Sequence, residues 1–331
     1  MRIAYIDKLK GLTMICVVMT HTLDTLGKQL VLCDVIASFI MPTFFFLSGI
    51  FALKGLREYT VKELGTFLRK KTMRLLLPFF IIGGLYHWMC EGVLVASERY
   101  WFLPTLFYLM LMGLLTTLGS HFLPPHTKSQ IPLIIRLIVV GVLVWSIALV
   151  LYLAKSDIPY LINAIKNFPF FLCGILYSCS GRIKRLISAT PWVYALCVII
   201  YFFLMISHVS APFITHLTGP FAIVILMNLF SRYDTSLPNW LAVVGTYTME
   251  IYIFHWFFLP GLPWLMPWLQ EQPHVYLDNE NLILGFIITG IIVAGVVAAA
   301  MGIGVIIRHN PILSTIILGG RFDKGANRCK E

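Results

Sequence analysis

Charge is scarce in this sequence, and acid is scarcer than base. Asp, Glu, Lys and Arg make up 12% of the 331 residues, with 15 acidic side chains against 25 basic ones. A soluble domain carries about twice that share. The shortage excludes a chain that spends most of its surface in water. Catalytic signatures of several large classes are missing too. There is no HExxH run and no dense His/Asp cluster, so no metal is expected. GxGxxG and Walker patterns are absent, which argues against a Rossmann enzyme or a nucleotide hydrolase. None of the cysteines (Cys16, Cys33, Cys90, Cys173, Cys179, Cys197, Cys329) forms a CxxC pair. They read as small buried hydrophobes. No internal repeat and no low-complexity tract interrupts the chain.

What is present in abundance is apolar surface. Hydrophobic residues reach 59%, and mean hydropathy is +0.85. Apolar runs recur near 10–31, 34–53, 75–96, 101–119, 132–154, 158–179, 190–207, 211–231, 238–260 and 282–307. This pattern predicts an all-α, polytopic membrane bundle of about ten spans. It leaves residues 1–331 as a single membrane domain with no separate soluble domain. The first run lacks a small-residue cleavage site and carries His21 and Asp24, so it reads as a retained helix.

The formal charge of +10 would raise the question of nucleic acid in a soluble protein. Here the basic residues collect between alternate apolar runs, which is an orientation signal, and no nucleic-acid partner is expected. With the N-terminus inside, every Lys and Arg except Lys28, Arg99, Lys155 and Lys166 falls on the cytoplasmic side. Both termini are then cytoplasmic. The loop at 261–281, acidic and bearing Trp264, Trp268 and Tyr276, faces out. Those aromatics suit either an interfacial belt or a platform for a sugar ring.

The stretch KGLTMICVVMTH sets Lys10 and His21 eleven residues apart. In an α-helix that is three turns plus about 20°, with a rise of about 16 Å. The two side chains share a face, about half a bilayer apart. An ionisable residue inside a membrane helix is costly, and it faces a cavity or a partner. Imidazole titrates near neutrality, so His21 is a candidate for taking a proton from a hydroxyl and returning it. Asp24 follows at i+3 and is a candidate for orienting the ring. The alternative is a satisfied core histidine with a positive-inside anchor.

Other candidates are paired by spacing. Lys71 and Arg74, at i and i+3 in FLRKKTMRLLLPFF, can grip phosphate groups or simply flank a span. His87 and Glu91, at i and i+4, form a structural, proton-handling or acceptor-binding pair. Glu250 and His255 are buried in VVGTYTMEIYIFHWFF, about 140° apart on a helix, so they need not share a partner. Asn163, Lys166 and Asn167 make the sixth run unusually polar.

Taken in order, these stretches resemble the acyltransferase-3 family of integral-membrane acyltransferases. YIDKLKGLTMICVVMTHT resembles its opening helix, with a basic residue and Gly ahead of a histidine after ten intervening residues. FIMPTFFFLSGIF is similar to its Pro-aromatic-Ser-Gly signature, and FLRKKTMRLLLPFF to its basic-x-x-Arg segment followed by Pro. YWFLPTLF, FPFFLCGILYS and VVGTYTMEIYIFH follow as its later landmarks. The resemblance implies transfer of an acetyl or other short acyl group from acetyl-CoA to a hydroxyl of a sugar or lipid-linked glycan. It implies His21 as the catalytic residue, and Lys10, Lys71 and Arg74 at the basic positions that would hold the donor. His87, Glu91, Glu250, His255, Trp264 and Trp268 are left as acceptor-side candidates. It also implies the bacterial inner membrane, with membrane lipids as surroundings and polysaccharide modification as the role. The family usually carries Arg where this chain has Lys10 and Lys71, and lysine keeps the charge without the planar fork. A glycan or lipid transporter that transfers no acyl group is the alternative reading.

Overall fold

The computed structural model describes residues 3–25, 31–52, 61–93, 95–122, 133–154, 158–208, 214–259 and 282–320. The described residues form helices, with no strand among them. In chain order these are α1 (Ala4–Thr25), α2 (Val31–Ala52), α3 (Val61–Lys71), α4 (Leu77–Glu91) and α5 (Phe102–Phe122). Then come α6 (Leu133–Leu153), α7 (Leu161–Cys179), α8 (Gly181–Ala189), α9 (Pro191–His208) and α10 (Ile214–Arg232). The set closes with α11 (Asn239–Thr246), α12 (Thr248–Phe258), α13 (Leu282–His309) and α14 (Pro311–Leu318).

Each apolar run of the sequence holds a helix. Among the described residues six helical segments are long and apolar enough to cross a membrane, and the pair α8–α9, bent by 62°, makes a seventh if counted as one span. Helix α1 falls outside this set because it carries Asp7, Lys8, Lys10 and Asp24. Helix α10 carries His216, Asn228 and Arg232, while α11 and α12 are individually short. This is an integral membrane protein, and of the candidate residues Lys10, His21, Glu250 and His255 lie on helices that miss this test, while Lys71 and Arg74 lie in a segment that passes it.

Helix α1 runs through the middle, against α2, α10, α11, α12 and α13. Two close crossings hold the centre together, and glycine makes both possible. At α1–α11, a Cβ on Gly11 would strike the Leu241 carbonyl, and one on Gly245 the Asp7 carbonyl. At α2–α7, a Cβ on Gly49 would strike the Phe171 carbonyl, and one on Gly174 the Phe46 carbonyl. Between lipid-soluble helices there is little hydrophobic drive, so close backbone approach supplies the association. Around these crossings sit buried Phe45, Phe46, Phe168 and Phe171 on one side, and Phe79, Tyr100, Tyr252 and Trp256 on the other.

The outer faces of α6, α9 and α13 are apolar and uncovered, as with Leu143, Val150, Ile199, Phe203 and Ile291. They suit lipid contact. The expectation of uniformly buried cysteines is corrected here. Cys197 is buried, Cys16 and Cys33 are partly covered, but Cys90, Cys173 and Cys179 are exposed. Helix faces that meet lipid need no burial by protein. Cys329 lies outside the described residues.

Candidate active site

Two irregularities shape the interior. Between α3 and α4 the chain makes a π-helical turn, Thr72–Leu76, just before Pro78. Proline lacks the N–H that would continue an α-helical ladder, and wider turns of this kind recur at functional sites. Arg74 sits in that turn and Lys71 at its entry. The second irregularity is the break between α11 and α12 at Tyr247. There Arg308 of α13 donates through Nη2 to the Thr246 carbonyl at 2.6 Å and through Nε to Glu250 Oε1 at 2.5 Å. Its guanidinium also lies 3.8 Å from the Tyr247 ring centre. A cation capping the end of α11 answers its unsatisfied carbonyls.

A cavity of about 330 Å³ opens between these irregularities. Lys10, Lys71 and Arg74 all line it, from α1 and from the α3–α4 turn, together with Ser48 of α2. Lys10 stays 3.4 Å from Asp7 and 4.4 Å from the Phe51 ring. Lys71 lies 5.3 Å from the Phe67 ring. The basic residues proposed from spacing in two separate stretches thus converge on one space. Far from those stretches in sequence, Tyr252 and Phe102 line the same cavity. Their rings pack at 5.4 Å.

His21 lies about 10 Å farther along α1 than Met14, which lines the cavity. It is not itself a lining residue. Its ring stacks on His255 at 5.4 Å and 22°, and meets Trp256 at 4.3 Å. His255 is fully buried. Its Nδ1 lies 3.0 Å from the Ile251 carbonyl oxygen. A carbonyl can only accept, so Nδ1 carries a proton, and in the neutral ring Nε2 keeps its lone pair. That Nε2 is buried without a hydrogen-bond partner among the described residues. Buried polar atoms are nearly always paired, and Trp256 Nε1 beside it is likewise buried without a partner among the described residues. Tyr252 stands between, its ring 6.0 Å from His255.

Arg99, in the short turn Glu98–Tyr100, covers the other side of the stack. Its guanidinium is 4.5 Å from the Trp256 ring and 5.9 Å from Tyr86. Tyr100 beside it is fully buried and donates to the Ile253 carbonyl at 2.9 Å. That bond pins α12 against the turn that leads into α5.

The remaining candidates fall elsewhere. Asp24 is exposed, and no hydrogen bond joins it to His21 among the described residues. Glu250 is fully buried and committed to Arg308. His87 and Glu91 pair at 3.3 Å, with the Glu91 side chain 65% exposed, at the far end of α4. Trp264, Trp268 and the whole 261–281 loop lie outside the described residues. Sequence reasoning passed over Arg99, Tyr252 and Trp256 as site residues. Signals existed: Trp256 directly follows His255, and Arg99 is one of the few basic residues left out of the cytoplasmic set.

The profile of one protein family, described as an acyltransferase domain, matches residues 3–302. No curated protein and no solved structure matches the chain. The match begins ahead of α1, runs through the histidine stack and both irregular turns, and ends within α13. The chain therefore belongs to the acyltransferase-3 family, and it is a membrane acyltransferase.

Proposed function

We propose that this protein carries an acetyl or other short acyl group from acyl-CoA to a hydroxyl of a sugar or lipid-linked glycan. The observation that carries this reading is the stack of His21 on His255, set one tyrosine away from a cavity lined by Lys10, Lys71 and Arg74. Cations that line one cavity suit the phosphates of CoA. The rise of about 16 Å from Lys10 to His21 suits an extended pantetheine arm. To reach His21 the arm passes Tyr252, which lines the cavity and lies beside His255.

In the proposed reaction His21 takes the proton of the acceptor hydroxyl. The oxygen attacks the thioester carbonyl, a C–O bond forms and the C–S bond breaks. The departing CoA thiolate receives the proton back from His21. His255, neutral and fixed by its bond to Ile251, keeps the ring of His21 in one plane. Trp256 and Arg99 wall the stack on the other side. The acceptor arrives along the Arg99 side of the stack, away from Lys10, Lys71 and Arg74.

The test supplies acetyl-labelled acetyl-CoA to membranes from cells that carry the protein and follows label into their glycan fraction, with CoA binding measured on purified protein. His21→Ala is expected to reach normal membrane abundance and to lose transfer by about 100-fold or more, the usual share of a general base. Transfer near the unmodified level at normal abundance removes His21 from the mechanism. Absence of CoA binding by the unmodified protein overturns the whole reading in favour of transport.

A further inference from the structure

A second cavity, of about 610 Å³, lies on another face of α1. Tyr5, Lys184, Arg185, Ser188, Asn228 and Arg232 line it, where α1, α8 and α10 meet. Tyr5 and Lys10 are about 140° apart around α1, so this cavity and the one holding Lys71 and Arg74 are different spaces. Its floor is built. Tyr5 and Tyr177 share a hydrogen bond of 3.1 Å, Tyr177 and Ser188 one of 2.8 Å, and Ser231 donates to the Ser188 carbonyl at 3.0 Å.

Two features call for a ligand. Asn228 is 5% exposed, and its Nδ2 meets no acceptor among the described residues. A buried amide donor left unpaired is expensive. Beside it stand Lys184, Arg185 and Arg232, whose side chains make no ion pair among the described residues. Three cations and an amide donor around one space fit a phosphate group.

The surroundings indicate what carries that phosphate. Helix α8 has Ile183 and Ile187 turned to the core while Arg182, Lys184 and Arg185 are exposed. Pro191, the first residue of α9, also lines the cavity. From there Trp192, Leu196, Ile199, Phe203 and Ile206 run up α9 at helical spacing, each at least half exposed. An apolar stripe that begins one residue beyond a cationic pocket matches a phospholipid, with chains on the stripe and headgroup in the pocket.

We propose that the α1–α8–α10 pocket is a binding site for the phosphate of an anionic phospholipid. The site lies outside the acyl-transfer machinery and does not depend on that reading.

The experiment is thermal unfolding of the purified full chain in neutral detergent. It is run with phosphatidylglycerol, phosphatidylcholine, or inorganic phosphate at matched ionic strength. Phosphatidylglycerol is expected to raise the midpoint more than phosphatidylcholine. Lys184→Gln/Arg185→Gln/Arg232→Gln is expected to abolish that difference and to weaken phosphatidylglycerol binding about tenfold or more. Arg69→Gln/Lys70→Gln/Arg182→Gln removes as many charges outside the pocket and is expected to keep the difference. Asn228→Asp, a same-size change that puts a carboxylate in the pocket, is expected to lose it even if the triple variant fails to fold. Equal shifts from both lipids, or a full phosphatidylglycerol shift in the pocket variants, overturn the proposal. A pocket-dependent shift from inorganic phosphate with none from phosphatidylglycerol retains the phosphate site and overturns the lipid as its source.

Discussion

His21 and His255 are 234 positions apart in the chain and meet ring to ring at 5.4 Å. That contact assigns unequal weights to the groups around His21. Asp24, at i+3, is exposed and makes no hydrogen bond to the ring, whereas His255 is buried against it. Asp24→Asn is therefore expected to keep transfer within a few-fold. His255→Ala removes the stacked ring and opens a hole beside His21, and is expected to cost at least about 100-fold in turnover. Acceptor acylation in cells, normalised to membrane abundance, separates the two. A large loss with Asp24→Asn and a small one with His255→Ala would reverse these roles. His21 was legible in the sequence because an imidazole in an apolar run is costly. Its true neighbours were not, because helix spacing reports only contacts within one helix.

The element that carries the cations is the π-helical turn between α3 and α4. The wider turn, ahead of Pro78, lets Lys71 and Arg74 line the same cavity as Lys10. Lys71→Ala/Arg74→Ala is expected to weaken CoA binding by about tenfold or more and to reduce its salt sensitivity, since exposed charge contacts are screened. Calorimetry on purified protein at two salt concentrations checks this. Unchanged CoA affinity with weaker acceptor binding would move these cations to the acceptor. A second element, the broken pair α11–α12, depends on Arg308. Arg308→Ala removes the hydrogen-bonded partner of buried Glu250 and leaves it only the more distant charge of Arg74, a loss of up to about 3–5 kcal/mol for a buried pair. The expected result is a clear fall in melting temperature, partly recovered by adding Glu250→Gln. If the single variant melts like the unmodified protein, the pair contributes nothing to the break. Glu250 was visible as a buried carboxylate in the sequence. Its partner lies 58 residues away, on a helix whose charges read only as orientation signals.

At the scale of the molecule the question is how many helices cross and which way they face. Charge asymmetry argues for ten spans with both termini inside. Length and composition alone pass six helices, or seven, because the helices around the site carry polar residues or are broken. Labelling decides between these counts. In a background cleared of native cysteines, a cysteine at Gln270 is expected to react with an impermeant reagent in intact cells. One at Lys62 is expected to react only after lysis. If Gln270 stays protected until lysis, the ten-span arrangement fails, and the two-sided delivery of donor and acceptor fails with it.

The sequence by itself determined that this chain is helical, membrane-embedded and a member of an acyltransferase family. Hydropathy, charge placement and ordered local motifs are properties of contiguous residues, and they survive without coordinates. It also singled out His21, Lys10, Lys71 and Arg74, whose cost or charge stands out wherever they lie. Only the tertiary structure decided what those residues meet. It put His255 and Trp256 on His21, gave Glu250 to Arg308, and gathered the cations from separate helices around one cavity. The physical reason is the crossing of helices at Gly11–Gly245 and Gly49–Gly174. Such crossings set which distant side chains face one another, and nothing in local spacing encodes that choice.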